Sequence, residues 1–268
     1  MSDPNSKNFQ APPPPPFPAA ETPSGPLMST GQTLTGIFFE PSRVFESLRG
    51  RPRFLAAGIV MVVALLAFTT LFFQRVGFER MISEAIESAP NADQMTPEQK
   101  EQAIRMQINP VVKAIYYASP ILVVALILAA GAGLYLLGSM LMGRTMRYKQ
   151  ALAVWAYSSM PPMLLAMLLN ILLLFLKSPD DYDIVHASRR GLVQANLGLL
   201  VDSKASPVLG TFLSTFDLFA FYGLFLAALG LRIVAKMSSG TAWSIVLAIW
   251  VFGVIVRTAL AAITGGAM

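Results

Sequence analysis

Cysteine is absent from the 268 residues, and charged side chains are scarce. Without cysteine the chain can form no disulfide framework, thiolate nucleophile or thiolate metal site. Only 13% of the residues are charged and 54% are hydrophobic, whereas a typical soluble domain has roughly 25% charged residues. This imbalance predicts that the chain is surrounded by lipid rather than by water.

Catalytic and metal-binding patterns are also missing. His186 is the single histidine, and the sequence has neither G-x-S-x-G nor a phosphate-binding glycine loop. Asp180, Asp181 and Asp183 offer oxygen ligands to a hard cation, but they lack the spacing of a calcium loop. The net charge of +5 is modest, and no basic stripe with interleaved aromatics is present. We therefore predict no enzymatic activity, metal, cofactor or nucleic-acid partner.

The first 34 residues differ in kind from the rest, with the run APPPPPFPAAETPSGP at 11–26. Such a composition cannot bury enough apolar surface to fold, and it favours extended polyproline conformations. We predict a disordered cytoplasmic tail, followed by a membrane domain at 35–268. The tail is interpreted as a spacer rather than a ligand for a proline-binding groove, and it lacks the apolar run of about 7–15 residues typical of an export signal.

Five apolar stretches are long enough to cross a bilayer, which takes about 20 helical residues. They lie at 54–73, 120–142, 151–176, 209–231 and 243–264. The predicted fold is therefore an all-α integral membrane bundle of five transmembrane helices.

Lysine and arginine predict the orientation, because basic residues in short connections remain on the cytoplasmic side. Basic residues precede the first stretch and fill the second and fourth connections without an acid, whereas the other two connections balance bases with acids. The amino terminus is predicted inside and the carboxyl terminus outside.

Two amphipathic segments flank the first stretch. After Pro41, the residues Val44, Phe45 and Leu48 fall on one face, which predicts a short helix on the inner membrane surface. Beyond the first stretch, apolar residues repeat at helical spacing from 78 to 86, and Thr96 to Gln99 match a capping box. Together they predict an outer helical hairpin, interpreted as a cover for the helix ends rather than a partner-docking surface.

Asp217 lies inside the fourth apolar stretch, and Arg257 is the only other charge deep in a predicted span. An ionisable group in lipid is costly unless it faces protein or water. Similar counted depths predict that the fourth and fifth helices are neighbours and that the two side chains pair, with Asn170, Ser214 and Thr258 completing the hydrogen bonds. The pair is interpreted as structural, while a proton or cation pathway remains the alternative.

Pro161 and Pro162 lie well inside the third stretch. Each proline removes a helical hydrogen bond, so the carbonyls of Tyr157 and Ser158 are predicted to be free and the helix to bend. Freed carbonyls coordinate ions in some transporters, but such bends also occur in helices that only pack together. The second interpretation is favoured.

Several segments, in this order, give the chain a family likeness: FFEPSRVFESLRGRP, MRYKQALAVWAYSSMPPML, ANLGLL and LSTFDLFAFYGLFLAALGLRIVAKMSSGTAW. The chain resembles the Yip1 family of polytopic membrane proteins, in particular its bacterial members. The resemblance implies a five-span bundle with a cytoplasmic amino terminus, located in a bacterial inner membrane, and no enzymatic activity. Eukaryotic members are associated with membrane trafficking and Rab-type GTPases, but their D-L-Y-G-P signature is missing here, so that partner is not predicted.

Two functions remain open at this point, and an enzyme of lipid chemistry is kept only as a remote third. The first is a non-enzymatic membrane-organising or partner-binding component, whose partners are the lipid bilayer and other membrane proteins or a homo-oligomer. The second is a small permease or ion-coupled transporter that uses Asp217 and Arg257. The odd number of predicted spans and the lack of an obvious internal repeat favour the first.

Overall fold

A computed structural model describes residues 28–89, 91–202 and 205–264 of the chain, without the side chains of 189, 190 and 264. The predicted all-α class is confirmed, since strands are absent from these residues and a single isolated β-bridge occurs. The α-helices in chain order are α1 Thr30–Phe39, α2 Pro41–Gly50, α3 Leu55–Val76, α4 Phe78–Glu87, α5 Pro97–Gln107, α6 Pro110–Leu141, α7 Tyr148–Leu176, α8 Ile184–Arg190, α9 Pro207–Ser214, α10 Leu218–Val234 and α11 Ser239–Thr264.

Four of these helices, α3, α6, α7 and α11, are long and apolar enough to cross a membrane. They correspond to the first, second, third and fifth predicted stretches. In each, only 17–28% of the most apolar window is buried inside the protein. Such exposed apolar surface is typical of a helix in lipid, because no hydrophobic effect drives apolar side chains into the protein interior there.

The fourth predicted stretch is not one continuous helix. It is divided into α9 and α10 by residues 215–217. The 17 residues of α10 rise about 25 Å at 1.5 Å per residue, which is less than the roughly 30 Å hydrocarbon thickness of a bilayer. Helix length and composition therefore support four spans in the described chain, and the predicted count of five is not established.

The third long helix, α7, lies at the centre of the bundle. It packs against α3, α6 and α10, and α11 packs against α10 and α9. The prediction that the fourth and fifth helical segments are neighbours is confirmed. The bundle has two ends: the basic end carries α1, α2 and the two short connections, and the loop end carries α4, α5, α8 and α9.

At the basic end, α2 has the predicted amphipathic face, but this face does not rest on a membrane surface. Val44, Phe45 and Leu48 are fully buried, and α2 packs on α10 and α7. The two helices approach closely at Gly230, where an added Cβ would lie 2.8 Å from the Phe45 ring. The surface position is therefore corrected, because Gly230 leaves room for Phe45 inside the bundle.

The predicted tail boundary at residue 34 also needs correction. Ser29 caps α1, which begins at Thr30, so residues 30–34 are helical. Thr33 is buried, and its hydroxyl lies 2.9 Å from the Tyr157 hydroxyl of α7. This buried hydrogen bond holds α1 against the bundle. The rest of the predicted tail, residues 1–27, lies outside the described residues.

At the loop end, the predicted helical hairpin is confirmed. α4 and α5 pack together, and Thr96 and Gln99 form the reciprocal hydrogen bonds of a capping box at the start of α5. Phe78, Met81, Ile82 and Ile86 of α4 are buried in an apolar cluster with residues of α3, α7 and α8. The hairpin is thus packed onto the ends of these helices.

Candidate functional site

Asp217 lies at the interruption of the fourth apolar stretch, which comprises residues 215–217. The residue has an extended backbone and is the N-cap of α10. Its carboxylate accepts a hydrogen bond of 3.0 Å from the backbone N–H of Ala220. Aspartate is among the best N-cap residues because its oxygen satisfies an N–H without a helical partner, and because its charge complements the helix dipole. The acid within this apolar sequence thus marks the beginning of a helix.

The interruption is paired with a loop, residues 191–201. Asn196 and Asp217 form an antiparallel β-bridge. The N–H of Leu197 donates to the carbonyl of Phe216 at 3.3 Å, and the N–H of Leu218 donates to the carbonyl of Ala195 at 3.0 Å. A broken helix leaves backbone groups that must find partners when water is scarce. The 191–201 loop supplies those partners.

Asn170 attaches the same loop to α7. It is 2% exposed, and its side-chain amide donates to the Ala166 carbonyl at 2.8 Å. Its side-chain oxygen accepts from the backbone N–H of Leu192 and, at 2.9 Å, from that of Val193. One buried side chain therefore satisfies two loop amides, and the predicted intramembrane Asn170 is used for loop anchoring.

Gly191 makes this anchoring possible. Its φ of +85° is in the left-handed region, which is unfavourable for a residue with a side chain. An added Cβ would lie 2.6 Å from the Asn170 side-chain oxygen. Glycine therefore allows α8 to end and the chain to turn directly against Asn170.

The predicted pair of Asp217 and Arg257 is not formed. Among the described residues the ion pairs are Arg43–Glu40, Arg80–Glu84, Arg80–Asp180 and Arg105–Glu101. Arg257 is exposed on α11. The interruption meets α11 at Trp250, whose ring centre lies 5.6 Å from that of Phe216. Arg257 follows Trp250 by seven residues, or about 10 Å along the helix.

The other two predicted partners also do not join such a network. The Ser214 hydroxyl donates to the carbonyl of Thr211 at 2.8 Å, within α9. The Thr258 hydroxyl oxygen is buried and has no hydrogen-bond partner. The structure therefore brings Asn170 and Asp217 to the two sides of one loop, while Arg257 and Thr258 lie apart from them on α11.

The two prolines of the third stretch lie inside a single helix, since α7 continues through Pro161 and Pro162. Ser158 donates its hydroxyl to the carbonyl of Trp155 at 3.1 Å. Gly223 of α10 is close to this point, and an added Cβ would lie 3.5 Å from the Pro162 ring. The proline pair is thus a packing surface for α10.

The acidic segment after α7 uses its carboxylates locally. Asp180 pairs with Arg80 at 2.8 Å, Asp181 accepts from the N–H of Ser178, and Asp183 accepts from the N–H of His186. Hydrogen bonds to Asp180 and Glu84 raise the pKa of Arg80. In the described part of the chain, no group of three His, Cys, Asp or Glu side chains could hold a metal ion.

Gly191, Asn196 and the Thr33–Tyr157 contact were not predicted from the sequence. Gly191 had a local signal, because a glycine directly after a helical segment is typical of a helix C-terminus. Asn196 had one too: it precedes a short turn, and its side-chain oxygen accepts a hydrogen bond of 3.0 Å from the Gly198 N–H. The contact between Thr33 and Tyr157 joins residues 124 positions apart. No local pattern predicts it.

Comparison with protein families identifies a known domain in the chain. A family model described as the Yip1 domain matches residues 35–260, which is most of the chain. Comparisons with curated proteins and with solved structures give no match.

Proposed function

The chain belongs to the Yip1 family of membrane proteins, and from this premise we propose that it is a non-enzymatic membrane-organising or partner-binding component. The observation that supports the proposal is the structural role of Asp217 at the start of α10. Its carboxylate caps α10, and the adjacent backbone is bonded to the 191–201 loop. A proton or ion carrier needs a carboxylate that exchanges with a pathway, whereas this carboxylate maintains a helix end.

The loop that these contacts position carries an exposed apolar surface. Leu197, Leu199 and Leu200 are 45%, 61% and 76% exposed, although their backbone is fixed by Asn196 and the interruption. Ordered, exposed leucines at the loop end suit contact with the bilayer, with another membrane protein or with a second copy of the chain. Together with the family membership, this supports an organising role more than a chemical one.

The second candidate function is a small permease or ion-coupled transporter. The division of the fourth stretch into α9 and α10 favours it, because discontinuous helices form substrate and ion sites in several transporters. We rank it second because the backbone groups at this division are already bonded to the 191–201 loop.

Proton flux in proteoliposomes distinguishes the two functions without requiring a known substrate. The full chain is reconstituted with an enclosed pH-sensitive dye, a pH gradient is imposed, and the Asp217→Asn variant is measured in parallel. We expect both proteins to give the flux of empty liposomes. A flux that the native chain supports and the variant loses would replace the organising role with the transporter.

The proposed topology has five spans, with α9 and α10 together as the fourth, in a bacterial inner membrane with the basic end cytoplasmic. The cysteine-free sequence allows this to be tested with single cysteines. An impermeant maleimide should label Gln102→Cys in intact cells and Thr145→Cys only after permeabilisation. Both positions are exposed at opposite ends of the bundle, and the reverse pattern would overturn the orientation.

A further inference from the structure

A groove lies between α9 and the loop-end half of α11. Its volume is about 450 Å³, and its lining includes Val208, Leu209 and Phe212 of α9 and Thr258 of α11. The three apolar residues are 39–47% exposed, so the groove is open rather than enclosed. It is an open, largely apolar groove with Thr258 at its α11 side.

An unpaired cation stands next to this groove. Arg257 directly precedes Thr258, is exposed, and takes part in none of the ion pairs found in the described residues. Its neighbours Val256 and Leu260 are exposed apolar residues. An exposed arginine among lipid-facing side chains extends its charged end toward the interface, where it needs an anion.

The height of Arg257 fits this requirement. It lies 18 residues beyond Ser239, the first residue of α11, which corresponds to about 27 Å along the helix. Since the hydrocarbon core is roughly 30 Å thick, a helix that starts near one interface brings Arg257 close to the phosphates of the other. The guanidinium offers a planar pair of donors that matches a phosphate.

Thr258 provides an independent sign of an unfilled polar contact. Its hydroxyl oxygen is buried and has no hydrogen-bond partner, while the residue itself lines the groove. A buried hydroxyl without a hydrogen bond is unfavourable. An ester or phosphate oxygen of a ligand in the groove would supply the missing partner when the Thr258 side chain rotates toward it.

We propose that this groove binds an anionic phospholipid of the loop-end leaflet. Arg257 binds the phosphate, Thr258 donates to a head-group oxygen, and an acyl chain lies along Leu209 and Phe212. An anionic lipid is preferred to a zwitterionic one. The cationic group of a zwitterionic head would repel the Arg257 guanidinium, which forms no ion pair with a carboxylate among the described residues. This assignment does not depend on the function proposed above.

Native mass spectrometry of the purified full chain tests the site. The protein is taken from nanodiscs of equal phosphatidylglycerol and phosphatidylcholine, and the retained lipids are counted. We expect the native chain to retain phosphatidylglycerol preferentially, and Arg257→Gln to reduce this retention about tenfold, which corresponds to about 1.4 kcal/mol for one charge-assisted contact.

Two further variants make the result specific. Lys113→Gln removes an exposed cation from α6 and should leave retention unchanged. Leu209→Trp fills the groove while Arg257 stays intact, and it should also reduce retention. The proposal is overturned if both lipids are retained equally, if Arg257→Gln or Leu209→Trp retains phosphatidylglycerol like the native chain, or if Lys113→Gln loses as much as Arg257→Gln.

Discussion

The contribution of Asp217 to stability separates helix capping from ion pairing. Asp217→Ala removes the hydrogen bond of 3.0 Å to the Ala220 N–H and the favourable charge at the start of α10. Loss of an N-cap costs about 1 kcal/mol, within a range of roughly 0.5–2 kcal/mol. Asparagine caps almost as well, so Asp217→Asn should cost only a few tenths of that, about 0.3 kcal/mol.

The assay is thermal unfolding of the three proteins in the same detergent. For a chain of this size, 1 kcal/mol corresponds to a Tm shift of about 2–4 °C. We therefore expect a decrease of that size for Asp217→Ala and a decrease of less than about 1 °C for Asp217→Asn. The reasoning is refuted if asparagine destabilises as much as alanine, because the charge itself would then be required, or if alanine has no effect.

Arg257→Leu completes this test. Ion pairing, as predicted from the sequence, requires this variant to lower Tm because it would leave the Asp217 carboxylate unpaired in lipid. The structure has no such pair, and Arg257 is exposed, so Tm should change by less than about 1 °C. A decrease similar to that of Asp217→Ala would contradict the capping account.

Glycine substitutions give two further predictions. Gly131→Ala should destabilise the protein by about 1–3 kcal/mol in a thermal melt, because the added Cβ would lie 1.9 Å from the Trp155 indole. The control Gly133→Ala should be neutral or stabilising, because nothing lies within 4 Å of the added Cβ. Equal effects of the two substitutions would contradict the packing of Gly131 against Trp155. Gly191→Ala should increase amide exchange at 192 and 193, because the φ of +85° disfavours a side chain and the added Cβ would lie 2.6 Å from the Asn170 side-chain oxygen. Unchanged exchange would show that the loop does not depend on this turn.

Much of the fold follows from apolar length and local capping. The four long apolar stretches predicted their helices, and Thr96 with Gln99 predicted the start of α5. Each of these predictions rests on residues close together in the sequence: a capping box spans four residues, and the length of an apolar stretch is enough to identify a helix in lipid. The position of α2 was predicted wrongly, because its apolar face suits a membrane surface as well as a protein surface. Only the small Gly230 on a distant helix decides between them.

The candidate site was predicted in part. Asp217 and Asn170 were singled out as polar residues in apolar surroundings, and each accepts a hydrogen bond from a backbone N–H group. The pairing with Arg257 was wrong because it assumed a continuous fourth helix. An acid inside an apolar stretch can be a buried charge or an N-cap, and the latter requires a break whose backbone groups are satisfied elsewhere. Here Ala195 and Leu197, about twenty residues earlier, satisfy them.

Disulfide formation between introduced cysteines tests most directly whether the 191–201 loop occupies the helix interruption. The natural chain has no cysteine, so only the chosen pair can react. Asn196 and Asp217 face each other in an antiparallel bridge, where Cα atoms lie about 4.5–5.5 Å apart, within the range for a disulfide. In reconstituted protein, Asn196→Cys with Asp217→Cys should cross-link rapidly on mild oxidation, and Asp217→Cys with Arg257→Cys should not. Rapid cross-linking of the second pair but not the first would contradict the account.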